Sequence, residues 1–148
     1  MKTLHFSIHI NAPQKKVWEI MLSDKTYREW AAIFMQGSHF VGNWAKGSKM
    51  QFLAPNENGG MGGMVSLIAD NVLHELMSIK HIGLVNDGVE DITSSEAKKW
   101  VGYEKYRFID VDGKTNLLIE IDVANEFKSF MNETWPKALQ TLKALAEK

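Results

Sequence analysis

Three side chains capable of proton transfer occupy strand positions from which they could reach one interior space. Glu104 and Tyr106 share one face of a predicted strand, because successive side chains of a strand point to opposite sides of its sheet. The other face carries Lys105 and Arg107, which would be costly to bury, so Glu104 and Tyr106 are expected to point inward. His81, on another predicted strand, would complete an acid–base group of the kind that enzymes use. In the alternative interpretation Glu104 lies at the rim of the sheet, and the side chain of His81 is hydrogen-bonded to the backbone.

Other catalytic and cofactor patterns are missing from the sequence. There is no cysteine and no G-x-S-x-G motif, and the serines stand at no spacing from His and Asp that predicts a triad. His5 and His9 lie on a strand, about 13 Å apart, which is too far to share one metal ion. The glycine run from Gly59 to Gly63 precedes a strand, which favours a hairpin over a phosphate-binding loop. We therefore expect no metal and no cofactor.

Large adaptable apolar side chains are numerous, with five Trp, seven Phe and eight Met in 148 residues. Such residues can line a pocket for a small molecule or simply fill a core, and both interpretations remain open. The residues expected to line a cavity are Trp30, Phe34, Phe52, Met64, Ile79, His81, Trp100, Glu104, Tyr106, Phe127, Met131 and Trp135.

These residues must be positioned by strands and four helical segments. Residues 3–11 alternate between apolar and polar, which predicts a half-buried strand, and Pro13 then favours the start of a helix. A second short helix is expected after Ser23 or Asp24, either of which could cap it. Further strands are predicted at 38–42, 48–54, 63–73, 76–84, 101–110 and 115–123, with Met77, Ile79, His81 and Gly83 sharing a face.

Two helical signals follow in the second half of the chain. The run from Thr93 to Glu96 resembles a capping box, which predicts a short helical insertion ending near Trp100. The last 24 residues carry an apolar stripe at spacings of four and three, which predicts a long C-terminal helix. Pro136 should kink this helix or divide it near Asn132.

Composition restricts the function further. Lys plus Arg is 17 and Asp plus Glu is 18, so the basic excess typical of nucleic-acid binding is missing. No apolar stretch approaches the roughly 20 residues of a membrane span, and the N-terminus lacks the continuous apolar core of a secretory signal. We expect one cytoplasmic domain over residues 1–148, with no nucleic-acid partner and no membrane insertion.

Three stretches carry a resemblance to known proteins. They are Ala12-Pro13 with Val17-Trp18, His81-Ile82-Gly83 with Asp87-Gly88-Val89-Glu90-Asp91, and Trp135-Pro136-Lys137-Ala138-Leu139 with Leu142-Lys143. With the element order, they resemble the START-like (SRPBCC) superfamily, and within it the bacterial branch of the activator of heat-shock protein 90 ATPase homologue family. The resemblance implies an α+β helix-grip fold like that of the major birch-pollen allergen. In that fold a curved antiparallel sheet wraps a long C-terminal helix, and two short helices follow the first strand.

The family resemblance also implies a cavity between sheet and helix, which often holds an apolar ligand. The favoured function is therefore binding of a small hydrophobic or amphipathic ligand of unknown identity, without catalysis. The alternatives are a polyketide cyclase or dehydratase-like enzyme that uses His81, Glu104 and Tyr106, and a chaperone-regulating interaction module. A homodimer is left open.

Overall fold

The computed structural model describes residues 1–148, and its elements follow the predicted order. The strands are β1 (Lys2–Ile10), β2 (His39–Val41), β3 (Lys49–Pro55), β4 (Met61–Val72), β5 (Leu76–Asn86), β6 (Val89–Asp91), β7 (Gly102–Val111) and β8 (Lys114–Val123). The helices are α1 (Gln14–Leu22), α2 (Asp24–Ala31), α3 (Ser95–Lys98) and α4 (Lys128–Ala146), with a 3-10 helix (Asn125–Phe127) directly before α4.

All eight strands belong to one antiparallel sheet. Their spatial order is β1-β8-β7-β5-β4-β3-β2, and β6 pairs with the end of β5. Helix α4 packs against β1, α1 and α2 and covers one face of the sheet, and the short helix α3 packs against β5. This is the helix-grip fold that the resemblance implies.

Helix α4 is held by one apolar stripe. Trp135, Ala138, Leu139 and Leu142 are all buried and recur at spacings of three and four residues. Burying a large apolar side chain of this kind contributes about 1.5–3 kcal/mol each, which outweighs the weak helix propensity of an isolated segment.

The expected division of the last helix is wrong. Helix α4 runs without interruption from Lys128 to Ala146 although Pro136 lies inside it. The carbonyl that Pro136 leaves without a donor belongs to Asn132, and both residues are exposed. Water can bond a carbonyl on the solvent side of a helix, so the proline does not end it.

The insertion between β5 and β7 differs in detail from the capping-box interpretation. Ser94, not Thr93, caps α3, with its Oγ accepting a hydrogen bond from the Ala97 N–H at 3.1 Å. The carboxylate of Asp91 accepts bonds from the backbone N–H groups of Thr93 and Ser94 and from the Ser94 hydroxyl. Asp91 thereby fixes the turn before α3, and the cap of this helix falls one residue later than the sequence pattern suggested.

The glycine run forms part of the β3–β4 hairpin, as predicted. Gly63 has a φ of +152°, and a Cβ at this position would lie 1.9 Å from the carbonyl oxygen of Phe52. Only glycine allows the two strands to approach this closely.

Candidate functional site

A cavity of about 770 Å³ lies between the covered face of the sheet and helices α2 and α4. Of its 24 lining residues, 16 are hydrophobic, which is the composition of a small-molecule site. Exposed residues surround its opening, which we call the cavity mouth and define by Met35, Asn56, Glu57 and Phe130.

The structure brings most of the predicted lining residues together. Eight of the twelve line this cavity: Trp30, Phe34, Phe52, Met64, Trp100, Glu104, Met131 and Trp135. Strand alternation was the signal for Glu104, and the apolar stripe of the last helix was the signal for Met131 and Trp135. The others were expected from their type, as large aromatic or Met side chains.

The other four predicted residues do not line the cavity. Ile79 is fully buried in the main core. Phe127 belongs to the 3-10 helix, before the regular stripe of α4 begins, and packs against Trp100 with ring centroids 4.5 Å apart. His81 and Tyr106 are buried and reach the cavity only through Glu104.

A continuous hydrogen-bonded network joins three neighbouring strands. His81 Nδ1 lies 2.6 Å from Ser66 Oγ, and His81 Nε2 lies 3.0 Å from Glu104 Oε1. The Tyr106 hydroxyl donates to Glu104 Oε2. Only Glu104, whose side chain is 12% exposed, lines the cavity, so the other three residues serve to hold its carboxylate.

The donors and acceptors of this network have one assignment that satisfies every group. Ser66 donates its O–H to Nδ1 of a neutral His81, and the Nε2–H of His81 donates to Glu104. In this assignment Nε2 of His81 carries the hydrogen that bonds Glu104, and Nδ1 accepts from the buried Ser66 hydroxyl.

Tyr106 acts in this network as a fixed donor. Burial, followed by the negative charge of Glu104, raises the pKa of the Tyr106 hydroxyl well above its usual value. The phenol stays protonated at neutral pH and keeps its hydrogen bond to the carboxylate.

Ser66, His81 and Glu104 have the residue types of a catalytic triad, which the spacing of serines in the sequence did not predict. A register shift between Val65 and Ser66 sets Gly83 opposite Val65 and His81 opposite Ser66. This β-bulge brings Ser66 beside His81, and it places Gly83 on the other face of the sheet from His81, contrary to simple alternation. Ser66 has no exposed surface, so no substrate can reach its hydroxyl.

Tyr27 is a cavity residue with a polar group that the list of predicted site residues omitted, as it omitted Ser38, Asn56, Glu57 and Asn86. It lines the cavity from α2, and burial, followed by the charge of Glu104, raises the pKa of its hydroxyl. Its hydroxyl makes no hydrogen bond to the protein and is not shut off from the cavity, so it is free to bind a ligand. The signal was present, because Tyr27, Trp30 and Ala31 follow helical spacing on α2 and are all buried.

The charged groups of the cavity wall are of one sign. Glu104 lies inside and Glu57 at the cavity mouth, and the wall contains no Lys, Arg or His. No group of three or more His, Asp or Glu is placed to hold a metal ion. None of the helices has both the length and the apolar character needed to cross a membrane.

A second depression, of about 820 Å³, lies at the far end of the sheet beside the β4–β5 turn. Half of its ten lining residues are polar or charged, including Gln14, Arg107 and Asp110. Gln14 already donates to the Phe108 carbonyl, and none of the network residues takes part. The apolar cavity is the better candidate site.

Comparison with known proteins supports the architecture. No protein-family model matches the sequence, and no curated protein matches it. Among solved structures, the Aha1 dimer from Colwellia psychrerythraea superposes with a TM-score of 0.72 at 18% identity, over 99% of this chain and 97% of that one. Protein MLL2253 from Mesorhizobium loti superposes with a TM-score of 0.70 at 13% identity, over 97% of this chain and 96% of that one.

A third similar structure is larger. DynU16, a putative protein in the dynemicin biosynthetic locus, matches all of this chain with a TM-score of 0.69 at 10% identity, over 48% of its own length. At such identities the similarity establishes the fold alone. The chain has the helix-grip fold, with an apolar cavity under its C-terminal helix.

Proposed function

We propose that this protein binds a small hydrophobic or amphipathic molecule in the cavity between the sheet and α4, without transforming it. The observation that carries the proposal is the cavity itself. Its volume of about 770 Å³ and its 16 hydrophobic lining residues suit a ligand with a large apolar body.

The hydrogen-bonded network supports binding more than chemistry. Ser66 is buried beyond the reach of a substrate, and both nitrogens of His81 already have partners. Glu104 is held by two donors, which fixes the orientation of its carboxylate. The network thus provides one rigid polar anchor in an apolar space.

Filling the cavity tests the proposal directly. Met131 lines the cavity from α4, so Met131→Trp should occupy part of the space and weaken binding of an apolar fluorescent probe. If the space is empty in the free protein, stability should fall by less than the ~1–3 kcal/mol typical of an overpacked core. Titration of the probe and thermal unfolding measure the two effects.

Gln140→Trp is the matched control, because Gln140 lies on the exposed side of the same helix. This variant should bind the probe like the parent protein. Failure of the parent to bind any apolar probe with saturable stoichiometry would reject the carrier function, as would native mass spectra that never show a ligand after gentle purification.

A second candidate function is an enzyme of the polyketide cyclase or dehydratase kind. The observation that favours it is the contact of Glu104 with the cavity, backed by His81 and Tyr106. Turnover of a polyketide-like substrate that disappears in Glu104→Gln would support it. Binding of the same compound without any change in its mass would instead support the carrier.

We also propose that the chain is a single domain of the bacterial branch of the activator of heat-shock protein 90 ATPase homologue family. The similarity to the Colwellia structure supports this assignment. Because that protein is described as a dimer, we propose a homodimer here, which light scattering after size exclusion tests. A chaperone-regulating role would require measurable binding to a heat-shock protein 90.

A further inference from the structure

We propose that the ligand of this cavity is an amphipathic organic amine, whose protonated nitrogen binds Glu104 and whose apolar body contacts the aromatic wall. The inference rests on the proposed binding function and adds the chemical class of the ligand. It follows from the charge, the free hydrogen-bonding capacity and the aromatic content of the wall.

The charge of the cavity wall favours an amine. Glu104 is the one charged side chain in the interior of the cavity, and no cation stands on the wall to balance it. His81 is its nearest basic neighbour, but it bonds Glu104 from within the sheet and does not line the cavity. A carboxylate that lines an apolar cavity without a cation beside it there is a group that a cationic ligand could pair with.

Hydrogen-bonding capacity also remains at Glu104. Each carboxylate oxygen of Glu104 accepts one bond from the protein, from His81 at Oε1 and from Tyr106 at Oε2. A carboxylate has about four acceptor positions, so the others can receive N–H donors of a ligand. The free hydroxyl of Tyr27 adds an acceptor near Glu104, and an ammonium group has three donors to share between them.

The aromatic rings of the cavity wall also favour an amine. Its rings include those of Trp30, Phe34, Trp100 and Trp135, and such faces attract cations as well as apolar groups. The rings would contact the carbon atoms next to the ammonium group and the rest of the ligand body. An amine therefore gains affinity from the carboxylate of Glu104 and from the aromatic rings. An alcohol of the same length gains affinity mainly from the rings.

A carboxylate ligand should be disfavoured for the same reasons. Its head group would face Glu104 in the interior and Glu57 at the cavity mouth, and no basic side chain of the wall could pair with it. Like charges in a low-dielectric site repel strongly. The expected order of affinity is amine, then alcohol, then carboxylate.

A matched series of ligands tests this order. Decylamine, decanol and decanoate share one chain and differ in the head group. Each is titrated below its micelle concentration, at neutral pH, against an apolar fluorescent probe bound to the protein. We expect decylamine to displace the probe at least about tenfold more effectively than decanol, with decanoate weakest, because charge-assisted bonds exceed neutral ones.

Two variants locate the effect. Glu104→Gln should remove the advantage of decylamine and leave decanol binding nearly unchanged. Glu120→Gln is the control, since it also removes one negative charge from the sheet but lies outside the cavity, beside Arg107. This control should keep the order of the parent. Should Glu104→Gln fail to fold, Tyr27→Phe and the parent series decide, because Tyr27→Phe should weaken decylamine more than decanol.

The outcomes separate the two proposals. Equal displacement by all three ligands, or tightest binding of decanoate, would overturn the amine inference and leave the binding function standing. An amine preference that survives in Glu104→Gln would also overturn it. If the parent protein binds neither the probe nor any ligand, both proposals fail together.

Discussion

Trp135 is the central aromatic residue between helix α4 and the sheet. Its indole packs edge-on against Phe34 with ring centroids 4.9 Å apart, and it also contacts the rings of Trp30 and Tyr106. Its Nε1–H is buried and has no hydrogen-bond partner. The residue therefore stabilises the fold through its apolar surface, and burial of its unpaired Nε1–H lowers the stability.

Substitutions at Trp135 should separate these two contributions. Trp135→Ala should lower the free energy of unfolding by about 3–5 kcal/mol, the usual loss for a buried Trp. Trp135→Phe should cost clearly less, because it keeps most of the ring surface and removes an unpaired donor whose burial costs about 1–3 kcal/mol. Urea unfolding of both variants measures the difference.

Trp30 provides the control for this experiment. It is buried in the same cluster, but its Nε1–H donates to the Met21 carbonyl at 3.1 Å. Trp30→Phe leaves that acceptor unpaired and should destabilise the protein more than Trp135→Phe does. An equal cost at both positions would mean that the unpaired indole N–H of Trp135 carries no penalty.

At the scale of elements, the insertion from β6 to α3 depends on a single carboxylate. Hydrogen bonds from the Ser94 side chain and from the backbone N–H groups of Ser94 and Thr93 lower the pKa of Asp91. A depressed pKa in the folded state means that the stabilisation is present above the unfolded pKa and is lost as pH falls through the folded value.

The insertion should therefore loosen at acidic pH before the sheet does. Trp100 follows α3 and packs against Phe127 with tilted rings, so its fluorescence reports on this element. We expect a change in Trp100 emission below about pH 4, the ordinary range of an Asp, and Asp91→Ala should show that change already at neutral pH. An emission that follows global unfolding at every pH would contradict local control by Asp91.

Periodicity predicted most elements correctly and failed where a local contact overrides it. The stripe of α4 and the alternation of β7 both follow from burial of one face, which a sequence pattern records directly. Strand β6 has three residues and no alternation to detect. The bulge opposite Val65 and Ser66 leaves no signature in composition, so neither the Ser66–His81 contact nor the turn of Gly83 to the other face could be read from the sequence.

For the whole molecule, the general position of the site was predictable and its inner organisation was not. Glu104 and Met131 could be placed on the cavity wall because each lies on an apolar face of a regular element. Whether His81 touches the cavity or stands behind Glu104 depends on the relative positions of β4, β5 and β7, which are set by long-range pairing. Sequence spacing carries no information about which member of a network is outermost.

The cavity mouth has a consequence for the rate at which molecules enter and leave. Because Met35, Glu57 and Phe130 already surround an opening, entry needs only side-chain rotations, and α4 can stay on the sheet. The association rate of an apolar probe in stopped-flow measurements should then be independent of urea below the unfolding transition. A route that required α4 to detach would make association faster as urea promotes partial opening. The residence time of a ligand would accordingly be set by its contacts with the wall, and stabilising the fold would not lengthen it.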